Sequence, residues 1–224
     1  MGKIQEYFLE NSSLVIDKWI HYLGIYERHF DPWVGKSPVV LEIGVFRGGS
    51  LEMWKSYFGE GATVVGIDID ERCLQFADPD RGIHVEIGDQ SDAAFLDSVL
   101  ERYGRPDIVI DDGSHMMHHL IASFEHLYPR MKPYGVYLAE DLHTCYWDSF
   151  GGGLRKEGSF MELVKGKLDE LNAQHTSGLL SEEFAIQTRC VCAYDSIVVF
   201  EKKPQGARGR FRTGSDEQMR SAPF

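Results

Sequence analysis

From Val39 onward the sequence alternates short β-branched runs with longer amphipathic stretches, and no other feature narrows the possible folds as much. Residues 39–43, 63–67, 84–87, 107–110, 136–139, 184–192 and 197–200 have the length and composition of strands. Between them, residues 50–58, 92–103 and 118–131 carry apolar side chains at helical spacing. This alternation predicts βαβ units, and so an α/β fold with a mainly parallel sheet and helices on both faces. Little more than Ala193-Tyr194-Asp195 separates the last two runs, which predicts a C-terminal antiparallel hairpin and seven strands in all.

Composition places limits around this frame. A chain of 224 residues that is 43% apolar can close one core. Residues 1–38 read as an N-terminal helical segment, with Leu14, Trp19, Leu23, Ile25, Tyr26 and Phe30 along one continuous helix over 1–35 and Asp17, Lys18 and Glu27 on its polar side. Pro32 and Pro38 mark its end. Residues 39–203 form the main domain, and 204–224, rich in Gly, Arg, Ser and Pro, read as a disordered tail. The stretch 143–160 carries Gly151-Gly152-Gly153 among Tyr146, Trp147, Phe150 and Phe160, and reads either as a lid over a site or as a plain surface connection.

The apolar runs are strand-sized and short of the roughly 20 residues of a membrane span. The first residues, Met1-Gly2-Lys3-Ile4-Gln5-Glu6, lack the pattern of a leader or an acylation signal, so a cytoplasmic protein is expected. A net charge of −12 repels phosphate backbones and argues against a nucleic-acid partner. Cys73, Cys145, Cys190 and Cys192 read as reduced packing residues, with the Cys-x-Cys pair expected on opposite faces of its strand.

The first chemical signal is Glu42-Ile43-Gly44-Val45-Phe46-Arg47-Gly48-Gly49-Ser50, a strand end, a glycine turn and a helix start. In open α/β sheets the ligand lies beyond the carboxyl ends of the strands, where glycine lets backbone approach it. Asp68 follows at the end of the second strand, placed to accept from ribose hydroxyls, and Gly88-Asp89-Gln90-Ser91 follows the third. The loop lacks Gly-x-Gly-x-x-Gly, and the carboxylate of Glu42 disfavours a pyrophosphate. It suits a cationic ligand instead.

The second signal is Asp111-Asp112-Gly113-Ser114-His115 after the fourth strand and Glu140-Asp141 after the fifth. Topology brings both pairs to the edge that carries the glycine loop. Grouped oxygen ligands favour Mg2+ or Mn2+ over zinc. His115, three residues after Asp112, is a candidate general base. His118, His119 and His143 are weaker candidates, and for each carboxylate the alternative is a turn or capping role.

In these motifs the sequence resembles the class I S-adenosylmethionine (SAM)-dependent O-methyltransferases. Across roughly residues 15–202 it is similar to the metal-dependent macrolide-sugar (mycinamicin-type) O-methyltransferases and their cephalosporin-hydroxylase-like relatives. The carrying features are Asp-Asp-Gly-Ser-His, the later Glu-Asp pair, the closing Tyr194–Phe200 segment, and Asp17-Lys18-Trp19-x-His21-Tyr22 with Tyr26-x-x-His29-Phe30. The separate N-terminal domain of the macrolide enzymes is not among these residues.

The resemblance implies the Rossmann-like methyltransferase fold and metal ligands at Asp112, Glu140 and Asp141. It implies a base at His115 and cofactor contacts at Glu42, Gly44, Asp68, Asp89 and Gln90, to which Gly48, Ser50 and Asp111 are added from the same loops. The expected activity is methylation of a hydroxyl on a sugar of a glycosylated natural product, or a similar polyhydroxylated small molecule. The expected cofactors are S-adenosyl-L-methionine and Mg2+ or Mn2+. The aromatic N-terminal segment points to a homo-oligomer. Competing readings are a metal-independent or catechol-type methyltransferase, and an NAD-linked oxidoreductase.

Overall fold

The computed structural model describes residues 2–206, 209, 210 and 212–214. The tail expected to be disordered therefore lies in large part outside the described residues. Strands β1 (Val39–Ile43), β2 (Thr63–Asp68), β3 (Ile83–Ile87), β4 (Ile108–Asp111), β5 (Val136–Ala139), β6 (Thr188–Ala193) and β7 (Val198–Lys202) form one sheet in the order β3-β2-β1-β4-β5-β7-β6. The first five are parallel, while β7 runs antiparallel to both β5 and β6. This is the Rossmann-like methyltransferase fold with its closing antiparallel pair. No helix among the described residues is long and apolar enough to cross a membrane.

Both sheet faces are covered, which is why the central strands are apolar along their whole length. On one face lie α1 (Lys3–Glu10), α2 (Tyr22–Phe30) and α3 (Gly49–Phe58), packed through Tyr26, Phe30, Trp54 and Phe58 onto Val40, Ile108 and Leu138. On the other lie α4 (Ala93–Tyr103), α5 (Met117–Arg130) and α6 (Phe160–Leu171), packed through Leu96, Phe124, Leu127 and Phe160 onto Val109, Tyr137 and Phe200. Asp92 caps α4 by accepting from the amides of Ala94 (2.9 Å) and Phe95 (3.3 Å), and Ser159 caps α6.

The structure corrects three expectations. Residues 1–35 form two helices, not one, joined by an irregular segment over 11–21 that begins at Asn11-Ser12-Ser13, whose side chains compete for backbone groups. The run 184–192 begins with a short helix, α7 (Glu183–Gln187), before β6, because an apolar run alone does not separate a buried helical turn from a strand. Cys190 and Cys192 share a face, with their sulfurs 3.9 Å apart, since residues two apart on a strand point the same way. All four cysteines are free. The stretch 143–160 holds two 3-10 turns, Leu142–Tyr146 and Asp148–Phe150, with Leu142 and Cys145 buried against the core.

Trp54 is the centre of the first core face. Its ring meets Tyr26 edge-on at 5.1 Å and Phe30 at 5.8 Å, and its Nε1 donates to buried Glu42 (2.9 Å). Trp54→Ala is expected to cost about 3–5 kcal/mol in chemical denaturation. Trp54→Phe keeps much of the apolar area and loses the bond to Glu42, so it should cost about 1–3 kcal/mol.

Candidate active site

The site follows from the sheet register. Ile43 is level with Asp111, and Asp111 with Ala139, so β1, β4 and β5 end side by side. Gly44, Asp112 and Glu140 thus leave the sheet at one edge, and their amides still donate to Ile67, Ile43 and Asp111 respectively. The loops that follow are pressed together. Gly44 has φ of 95°, and a Cβ there would overlap the carbonyl oxygen of Asp112. Only glycine meets both conditions.

A first cavity of about 440 Å³ opens at the ends of β1–β3. Gly44, Asp68, Asp89 and Gln90 line it, with Phe76 and His119. Asp68 accepts from the amides of Val45 (2.9 Å), Phe46 (3.1 Å) and Asp70 (2.9 Å), which ties the glycine loop to the end of β2. Asp89 accepts from the amide of Ser91 (2.8 Å) and its hydroxyl (2.7 Å), and these bonds lower its pKa. Gln90 bridges the loops, donating to Asp111 (3.2 Å) and accepting from the Ser114 amide (2.9 Å). Cys73, also in the wall, has its thiol pushed up to about 11 by burial and by the charge of Asp68.

The other four residues expected at a cofactor stand behind this wall. Glu42 is fully buried and accepts from the Ser50 hydroxyl (2.7 Å) as well as from Trp54, and burial raises its pKa to about 7. Asp111 is equally buried and accepts from Ser123 (2.5 Å) and Tyr137 (2.6 Å). Gly48 sits at the start of α3, where a Cβ would strike the Phe76 ring.

A second cavity of about 450 Å³ adjoins the first and shares Phe46, Asp112 and Gly113 with it. Its wall also contains Asp17, Lys18, Trp19, Tyr22, His115, Glu140 and Asp141. Nε2 of His115 is 3.8 Å from Asp112 Oδ1 and 3.6 Å from Asp141 Oδ2, and one ligand atom from each of the three lies within 4.8 Å of the others. Glu140 stands apart from that cluster, turned toward Lys18. Its Oε1 and the Nδ1 of His115 are buried without a hydrogen-bond partner among the described residues. Phe46, His115 and Asp141 all have φ between 52° and 57°, a left-handed conformation that costs about 1–2 kcal/mol per non-glycine residue. Such strain concentrates at functional sites. Among the other histidines, His118 is exposed and His119 bonds Ser114 (2.7 Å). His143 reaches Ser196 (3.2 Å) and comes within 4.0 Å of Asp141.

Lys18 is the residue that the sequence reading placed wrongly, on the polar side of a helix. Its side chain is 3% exposed, and its ammonium is 2.9 Å from Glu140 Oε2, bonded to Asp112 Oδ2, and 4.0 Å from Glu42. Burial alone would depress its pKa, but the three carboxylates outweigh burial and hold it well above the ordinary value. Burial pushes Glu140 up to about 8 despite that lysine, and raises Asp112 as well. Tyr22, four residues later, donates to Asp141 (2.8 Å). The available signal was the helix-breaking Asn11-Ser12-Ser13; the partners of Lys18 are 94 and 122 residues distant and leave no local trace.

No family model matches the chain. It is 44% identical over 145 residues to the 8-demethyl-8-alpha-L-rhamnosyl tetracenomycin-C 2'-O-methyltransferase of Streptomyces olivaceus, a match over 61% of this chain and 37% of that protein. It is 42% identical over 159 residues to the mycinamicin VI 2''-O-methyltransferase of Micromonospora griseorubida, over 66% of this chain and 39% of that one. The chain thus spans well under half the length of these curated relatives. Among solved structures, it superposes on the MycE methyltransferase from the mycinamycin biosynthetic pathway, in complex with Mg, SAH and mycinamycin VI, with a TM-score of 0.74 at 34% identity. That match covers 84% of this chain and 51% of the other.

The close approach of the two loops makes Gly44 a sensitive position. Gly44→Ala is expected to destabilise the fold by about 1–2 kcal/mol through conformation alone, with the overlap at Asp112 adding to it, as read by calorimetric melting.

Proposed function

We propose that this chain, a relative of natural-product sugar O-methyltransferases, transfers the methyl group of S-adenosylmethionine to a hydroxyl of a glycosylated natural product or similar polyhydroxylated small molecule. One observation carries the reading: two cavities at the carboxyl edge of the sheet meet at Phe46, Asp112 and Gly113. A methyl donor in the first then faces a hydroxyl in the second across Asp112. Placing both reactants in one geometry is most of what this reaction asks of a protein.

Within this reading, Gly44, Asp68, Asp89 and Gln90 contact the cofactor, with Asp68 for the ribose. Glu42, Gly48, Ser50 and Asp111 act on it through the loops they hold. Asp112, Glu140 and Asp141 are the ligands of a divalent cation. The residues fit such an ion: oxygen donors of Asp112 and Asp141 converge beside His115, and Glu140 keeps a buried oxygen without a partner among the described residues. Bound there, Mg2+ or Mn2+ supplies Lewis acidity that makes a nearby hydroxyl easier to deprotonate. His115 takes that proton at Nε2, which lies 3.8 Å from Asp112 Oδ1 and 3.6 Å from Asp141 Oδ2. The acceptor enters past an aromatic rim, where His143 lies 5.9 Å from Trp19 and 4.8 Å from Trp147, centroid to centroid. Such rings offer apolar faces to a sugar-bearing ligand.

The reading extends to a homo-oligomer working in the cytoplasm on a small molecule and not on nucleic acid. Its support is the net charge of −12 and the exposure of Val15, Trp19 and Ile20, each more than half open to solvent.

Two measurements test it. In calorimetric titration, SAM and S-adenosylhomocysteine should both bind, and EDTA should abolish turnover of a glycosylated acceptor until Mg2+ is restored. If neither cofactor form binds, the reading of the glycine loop is wrong. His115→Ala should lower turnover about 10²–10⁴-fold while leaving S-adenosylhomocysteine affinity nearly unchanged. Equal loss of both would remove His115 from the role of base.

A further inference from the structure

We propose that Lys18 is a tethered competitor for the metal ligands: its ammonium holds Glu140 and Asp112 in the metal-free protein and leaves them when a divalent cation binds. The inference rests on the metal reading above and adds to it a residue from outside the sheet.

The geometry argues for exclusion. Lys18 holds Glu140 Oε2 at 2.9 Å and leaves Oε1 unpartnered among the described residues, so a cation bound through Oε1 would share that one carboxylate with the ammonium. Asp112 is divided in the same way: Oδ2 faces Lys18, while Oδ1 faces His115 and the cluster with Asp141. One ammonium centred between the oxygens of two carboxylates stands where a small cation would bind both. Two positive centres sharing those oxygens repel each other strongly in a buried setting.

Lys18 can also leave. It belongs to the irregular segment over 11–21, which adds no strand or helix to the core, and Val15, Trp19 and Ile20 around it are already more than half exposed. Glu42 retains Ser50 and Trp54 as donors after the lysine departs. Asp17 and Trp19, its neighbours on both sides, line the second cavity. Entry of the metal would therefore reshape the wall that meets the acceptor.

The test uses the full chain. Calorimetric titration with Mg2+ and Mn2+ should give Lys18→Met an affinity at least about tenfold higher than wild type, because the internal competitor is gone. In wild type, acylation of the Lys18 amine, followed by peptide mass spectrometry, should run at least about fivefold faster with Mg2+ than without it, since a lysine released to solvent can give up its proton to buffer and react as the free amine, whereas one buried against two carboxylates cannot. Equal or weaker metal affinity in Lys18→Met, or labelling unchanged by metal, overturns the proposal. Should the variant fail to fold, the labelling experiment decides on wild type alone. If neither protein binds metal, the metal reading itself fails and takes this inference with it; binding that ignores Lys18 defeats the inference only.

Discussion

The structure depends on gathering Glu42, Asp112 and Glu140 around one ammonium at the edge of a sheet. Removing three carboxylates from water is costly, and the pKa values of Glu42 and Glu140, pushed up to about 7 and 8, register that cost. One ammonium, Lys18, bears on all three. The N-terminal segment is therefore held to the domain through the chemistry of the site as well as through the packing of Tyr22 and Tyr26 on Trp54 and its neighbours. Fold and site thus share an interaction in this structure.

A second constraint acts through the backbone. The loops after β1 and β4 touch at Gly44 and Asp112, and Phe46, His115 and Asp141 adopt left-handed conformations beside them. The surroundings that compensate these conformations are specific: Asp68 fixes the amides on either side of the Val45–Phe46 bond, and Tyr22 fixes Asp141. Side chains that must meet reactants are thereby held on strained but well-supported backbone.

Much of this was legible in the sequence because it follows from period and topology. Strands β1, β2, β4 and β5 were located to within a residue, since β-branched runs buried on both faces have few alternatives. That Asp112, Glu140 and Asp141 reach one edge of the sheet needed only the rule that consecutive parallel strands end together, whereas the turn of Glu140 away from the other two toward Lys18 did not follow from it. The facing of Glu42 was not legible from motif order, although strand parity contains it: Glu42 points with Val40 toward α3, where Ser50 and Trp54 await it. Lys18 was hidden more deeply. Trp19, Leu23, Tyr26 and Phe30 repeat at helical spacing straight into a segment that is not helical, and the lysine is buried by pairing with residues about a hundred positions away. Periodicity reports local structure, whereas a buried charge is decided by its distant partners.

The two cavities differ in where their walls come from, and this bears on how such a chain acquires a substrate. The first is built entirely from residues between Ile43 and His119, on loops anchored to the central strands. The second draws Asp17, Lys18, Trp19 and Tyr22 from the N-terminal segment, and only its floor of Asp112, His115, Glu140 and Asp141 from the sheet edge. Changes at Asp17 or Trp19 alter the space offered to an acceptor without moving a residue of the first cavity. Changes at Lys18 or Tyr22 reach the carboxylates directly, because those side chains bond to them. The segment thus combines freedom to vary the acceptor at Asp17 and Trp19 with an electrostatic duty at Lys18.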